Sequence, residues 1–172
     1  MSKTVQKFAR LLGFFIVSLL IVAYLGGSYF FSSVLIAGPV HSFDSSEKRN
    51  FRASSPVLAS LPEPETVQLQ NGDIILEGWY FDHPETNCGT VLLHGYTDTR
   101  LGMVPYLPIF WEKGCDLLLY DARGHGNSSA AYHTYGFHEK RDAETAVRWL
   151  EAKTNLPFNQ IGIVGASYGG AT

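Results

Sequence analysis

Three short apolar runs, each ending in a polar motif, most constrain what this chain can fold into. Thr90 to Leu93 (TVLL) runs into His94-Gly95, Asp116 to Tyr120 (DLLLY) into Asp121, and Ile161 to Val164 (IGIV) into Gly165-Ala166-Ser167. Runs this short, apolar at consecutive positions, suit strands buried on both faces. Helical patterns separate them. Met103 to Lys113 reads as a helix interrupted near Pro105 and Pro108. His138 to Thr154 carries Ala143, Ala146, Val147 and Leu150 at helical spacing, one stripe of a 3.6-residue period. Upstream, Thr66 to Gln70 and Ile74 to Phe81 flank Asn71-Gly72, a hairpin signal. A hairpin leading into strands that alternate with helices predicts an α/β fold, a mostly parallel sheet with helices on both faces.

The N-terminus obeys a different rule. Lys3, Lys7 and Arg10 precede an uncharged stretch that runs from Leu11 to Val40. Its apolar part, residues 11–37, exceeds the roughly 20 residues a bilayer-spanning helix needs. A cleaved signal peptide is the competing reading. Its apolar region would be shorter, roughly 7–15 residues, and Pro39 sits badly after the small pair Ala37-Gly38. The expectation is a retained transmembrane helix over 11–37 whose bilayer contact tethers the protein. Residues 1–10 would be cytoplasmic and the remainder non-cytoplasmic, although Lys48, Arg49 and Arg52 weaken the charge asymmetry. The Pro-containing segment 38–64 reads as a linker with room for a short turn of helix, and 65–172 as the globular domain.

Composition removes several functions. Hydrophobic residues make up 45% of the 172 and charged residues 17%, enough for a packed core. A net charge of -3 offers no basic face for nucleic acid. The six His lack the spacing of a metal site, and neither metal nor organic cofactor is implied.

The chemistry concentrates at the end of the third run. Gly165-Ala166-Ser167-Tyr168-Gly169 fits G-x-S-x-G in its required place, after an apolar strand. A serine on so tight a turn projects its hydroxyl clear of the sheet. Flanking glycines let backbone approach where a side chain would clash. A helix N-terminus behind Ser167 would add positive potential where an oxyanion forms.

Three ordered motifs, L-L-H-G-Y (92–96), D-x-R-G-H-G-x-S (121–128) and G-x-S-x-G-G (165–170), resemble the α/β-hydrolase superfamily over roughly residues 65–172, closest to membrane-anchored esterase- or peptidase-like members. The resemblance implies strand order 1-2-4-3-5 and Ser167 as nucleophile. It implies an oxyanion hole from the N–H groups of Tyr96 and Tyr168. His94, Gly95, Asp121, Arg123, Gly124, His125, Gly126, Gly165 and Gly169 are then structural. Glu139 and Asp142 suit the start of a helix by charge. The acid and His base of such enzymes follow the serine in chain order, yet only five residues follow Ser167. The expectation is therefore the first half of the fold, cut after the nucleophile and inactive alone. The reaction implied for the whole protein is hydrolysis of an ester, thioester or amide of a small-molecule or peptide acyl substrate. A non-catalytic scaffold on the same fold is the alternative.

Cys88 and Cys115 each stand six residues before a strand-end motif residue, His94 and Asp121. Equal offsets on neighbouring strands would bring them side by side, within reach of a disulfide. Two buried free thiols is the preferred reading, because a register shift of one residue separates them.

Overall fold

The structure, a computed structural model, describes residues 2–37 and 56–172. The N-terminal helix forms one unit and the remainder another. Helix α1, Lys3–Ala37, is 35 residues long with a mean hydropathy of 2.3 over its most apolar window. At 1.5 Å per residue that is about 50 Å, longer than the roughly 30 Å hydrocarbon core of a bilayer. By length and composition it qualifies as a membrane span.

The second unit is built on five strands: β1 (Glu65–Asn71), β2 (Ile74–Phe81), β3 (Cys88–Leu93), β4 (Cys115–Tyr120) and β5 (Ile161–Gly165). Their order is β1-β2-β4-β3-β5, as the motif resemblance implies. The β1–β2 and β2–β4 pairs are antiparallel, and β3–β4 and β3–β5 are parallel. Central β4 is buried along its whole length, which is why its sequence reads as one apolar run.

Pleating sends alternate side chains into two cores. Trp79, Phe81, Leu92, Leu117 and Leu119 face one layer, and Leu76, Tyr80, Val91, Leu93 and Leu118 the other. The second layer is covered by α4 (Glu139–Thr154), whose buried Ala143, Ala146, Val147 and Leu150 are the expected stripe. Asn155 ends α4 in the left-handed conformation, donating its N–H to Glu151 O at 2.9 Å.

The first layer is covered by α2 (Pro56–Ser60), a 3₁₀ segment (Arg100–Tyr106) and α3 (Leu107–Trp111). One helix over Met103 to Lys113 is expected from sequence. Pro105 and Pro108 each lack an N–H to donate, and the chain divides there into a 3₁₀ turn and a short helix. The 3₁₀ segment starts earlier than expected because Thr99 caps it, its hydroxyl accepting from Leu101 N–H at 3.3 Å.

Two further points concern the linker and the cysteines. Most of the expected linker, residues 38–55, lies outside the described residues. Its remainder holds the short helix α2, and Leu58 and Leu61 pack in the core with Trp79 and Leu107. Cys88 and Cys115 are direct register partners, their Cα atoms 4.4 Å apart, and they are joined as a disulfide. The one-residue shift that favours free thiols does not occur.

Candidate active site

Ser167 closes the turn that leaves β5. It is exposed, and its φ is +51°, the left-handed region that a residue with a Cβ seldom occupies. The flanking sequence explains how the turn fits. A Cβ on Gly165 would lie 2.5 Å from Gly170 N, and one on Gly169 2.6 Å from Leu93 C. Both positions exclude a side chain. The turn sits directly on the end of β3, fastened by Ala166 N–H to Leu93 O at 2.9 Å and Gly169 N–H to His94 O at 3.1 Å.

That seating brings Ser167 against the loop after β3. A Cβ placed on Gly95 would be 3.8 Å from Ser167 Cβ. Tyr96 follows Gly95 in this loop, and its ring centroid lies 6.0 Å from that of Tyr168. The helix expected behind Ser167 is a five-residue 3₁₀ turn, Ser167–Ala171, too short to align many peptide dipoles.

His94 pins this loop to the next one. Its Nε2 accepts from Ala122 N–H at 2.9 Å, and its Nδ1 lies 2.8 Å from Gly95 O. An Nε2 that accepts requires the proton on Nδ1, so the ring is neutral and both nitrogens are engaged. Burial holds its pKa below the usual histidine value. His94 has no nitrogen left to take a proton from Ser167.

Asp121 organises the second motif. Its Oδ1 accepts from Arg100 N–H at 2.8 Å and its Oδ2 from Asn127 N–H at 2.9 Å. Ser128 Oγ donates to Asp121 O at 2.5 Å and accepts from Glu77 N–H at 3.0 Å, tying the loop to β2. Arg123 clamps Asp142 through Nε and Nη2 at 2.6 and 2.7 Å, and Asn71 Nδ2 donates to the same carboxylate at 2.7 Å. His125 Nδ1 lies 3.0 Å from Arg123 O, and burial lowers its pKa to about 4. So low a value makes it a weak base at neutral pH.

Two residues read from sequence only as helix-start charges have specific partners. Asp142 holds Arg123. Glu139 accepts from Thr134 N–H and Oγ1 at 2.8 and 2.6 Å, from Gly136 N–H at 2.8 Å, and from the Tyr168 hydroxyl at 2.8 Å. Burial raises the Glu139 pKa, but the donors from Thr134, its own backbone N–H and the Tyr168 hydroxyl outweigh it and bring it to about 2. His133 also enters the site unforeseen, its ring 4.5 Å from that of His125. Among the described residues, no group of three or more His, Cys, Asp or Glu is placed to hold a metal ion.

A strained serine between a strand and a turn, seated on the neighbouring strand of a β1-β2-β4-β3-β5 sheet, defines a protein of the α/β-hydrolase fold. Residues 90–172 match the model of an alpha/beta hydrolase family. YqkD, an uncharacterized protein of Bacillus subtilis (strain 168), is 35% identical over 97 residues, 56% of this chain and 32% of that one. An esterase from Pyrococcus furiosus aligns with a TM-score of 0.61 at 27% identity, over 77% of this chain and 49% of its own. GrgF, an alpha/beta hydrolase from Penicillium sp. sh18, aligns with a TM-score of 0.57 at 25% identity, over 64% and 39%. Together these matches support an α/β-hydrolase superfamily member. It spans about a third of the length of the bacterial relative and about half that of the esterase.

Proposed function

We propose that this chain carries the nucleophile of a membrane-anchored serine hydrolase acting on ester, thioester or amide bonds. The observation that carries the proposal is the exposed Ser167 at φ +51°, held beside Gly95. Strain of this kind costs of order 1–3 kcal/mol and persists where the surroundings impose it, as at a catalytic turn. The similarity to an esterase supports the same reaction class.

In the proposed reaction Ser167 Oγ attacks the carbonyl carbon while its proton passes to a base. The carbonyl π electrons move onto oxygen, and the N–H groups of Tyr96 and Tyr168 stabilise the resulting oxyanion. Collapse expels the alcohol, thiol or amine, which takes up the proton, and leaves an acyl-enzyme on Ser167 that water hydrolyses. His94 and His125 are poor candidates for the base, for the reasons given above. The resemblance assigns that role to a His after the nucleophile in chain order, oriented by a carboxylate.

The test is Ser167→Ala in the full-length protein. It should abolish turnover of a short acyl ester and labelling by a fluorophosphonate probe while unfolding as cooperatively as the wild type. Unchanged turnover in the folded variant would refute the assignment.

We propose further that α1 is a retained single-pass anchor with the catalytic domain on the non-cytoplasmic side. Its length and Lys3, Lys7 and Arg10 at its start support this. The protein should resist a carbonate wash, and protease added to intact cells should cleave it on the C-terminal side of α1. Release by carbonate, or protection from the protease, contradicts it.

A further inference from the structure

Tyr168 follows the nucleophile directly, and its amide is one of the two proposed oxyanion donors. Its side chain is 3% exposed, so its hydroxyl needs a partner inside the protein. That partner is Glu139 Oε1 at 2.8 Å, 29 residues away on the first turn of α4. Burial and this bond to a carboxylate both raise the Tyr168 pKa, so it acts as the donor.

Glu139 is itself immobilised. Besides Tyr168 it receives two donors from Thr134 and one from Gly136. Four donors from three other residues fill most of the acceptor capacity of one carboxylate. The loop that supplies them also abuts the elbow: a Cβ on Gly136 would lie 3.2 Å from Ala171 C, at the end of the 3₁₀ turn after Ser167. One buried carboxylate therefore joins α4, the loop over residues 134–136 and the residue that follows the strained serine.

We propose that Glu139 is a positioning residue for the catalytic turn, acting through the Tyr168 hydroxyl to fix the Ser167 backbone and the Tyr168 N–H. The proposal rests on Ser167 being the nucleophile. A φ of +51° at Ser167 is unfavourable for the isolated turn and must be imposed from both sides. The bonds to Leu93 and His94 hold the turn to the sheet. The Tyr168 to Glu139 bond holds it from the helix side. Loosening the second contact leaves the substrate pocket in place but blurs the aim of the oxyanion donor. The loss should therefore fall on kcat rather than KM.

The test uses the full-length protein and a short acyl ester. Tyr168→Phe keeps the ring and removes only the donor. It should lower kcat about tenfold, the scale of a hydrogen bond to a charged group, with KM within about twofold. Glu139→Gln turns N–H donors toward Thr134 or Gly136 and should lower kcat at least as far. If the two residues act in series, the double variant should be no slower than Glu139→Gln alone. A folded Tyr168→Phe with kcat within about twofold of wild type, a change confined to KM, or additive losses in the double variant would each overturn the proposal. If Glu139→Gln fails to fold, Tyr168→Phe alone decides. Ser167→Ala, measured alongside, separates the two levels: activity in Ser167→Ala refutes the nucleophile, whereas an inactive Ser167→Ala with a fully active Tyr168→Phe refutes only the positioning role.

Discussion

The Arg100 guanidinium lies 3.1 Å from Asp121 Oδ2, and both side chains are sealed from solvent. Glu77 Oε1 accepts from the same Nη2 at 2.6 Å, and the Trp79 ring lies under the guanidinium, 5.1 Å from its carbon. Removing one member of such a pair leaves the other charged and buried, at a cost of about 3–5 kcal/mol. Asp121→Ala should lose stability on that scale in urea unfolding. A loss under about 1 kcal/mol would mean that Glu77 alone neutralises Arg100.

The conformation of Ser167 makes a separate prediction. Alanine in place of serine removes the hydroxyl but keeps the Cβ, and with it the strain. Glycine removes both. Ser167→Gly should therefore be inactive yet more stable than Ser167→Ala by about 1 kcal/mol, a gain partly offset by the greater freedom of glycine in the unfolded chain. Thermal unfolding of the two variants side by side checks this. Equal midpoints, or a lower one for glycine, count against a strained turn.

Acid should destabilise the domain in two overlapping stages. Burial lowers the His125 pKa from 6.5 to about 4, so between those values the unfolded chain takes up a proton that the folded one refuses. Stability therefore falls with pH through that window. Glu139 contributes at lower pH. Its pKa falls from 4.5 to about 2, so its stabilisation is complete above 4.5 and is lost as pH drops toward 2. Urea unfolding at a series of pH values should show this slope. His125→Gln should reduce it between 6.5 and 4, leaving the part contributed by buried, neutral His94, and leave the lower stage intact. An unchanged slope in that variant would show that His125 does not set the upper stage.

The disulfide closes a separation of 27 residues. Cross-linking a loop of that length stabilises by about 3 kcal/mol through the unfolded state. Unreduced, denatured protein should take up no alkylating agent at Cys88 or Cys115, and reductant should lower the unfolding midpoint. Alkylation of both thiols without reduction would contradict the link.

The strands and the Ala143 to Leu150 stripe were legible in the sequence because both are local periodicities. The tight turn at Ser167 was legible because its geometry demands small residues at fixed spacing. The role of Glu139 was not, because its contact with Tyr168 spans 29 residues and depends on where α4 lands on the sheet. A signal was nevertheless present. Glu139, Asp142, Ala143, Ala146 and Leu150 lie on one helical face, so the apolar stripe runs on through two carboxylates. Acids on a buried face must have partners, whereas their charge alone suggested only a favourable helix start. The register of Cys88 and Cys115 was undecided because both possible registers bury equally apolar residues. His133 carried no motif at all.

The pairing of β3 with β4 is fastened at both ends. Cys88 joins Cys115 at one end, and His94 accepts from Ala122 N–H at the other. Five register pairs lie between, from Gly89↔Asp116 to Leu93↔Tyr120. A slip of one residue would turn every side chain of the slipped strand to the opposite core. It would also break both fasteners together, leaving two thiols and one imidazole without their partners. Mispaired chains would thus carry a chemical mark, free thiols, that correctly paired chains lack. During oxidative folding the disulfide then serves as a check on strand alignment, because it closes most readily in the register that also seats the Gly95 loop beside Ser167.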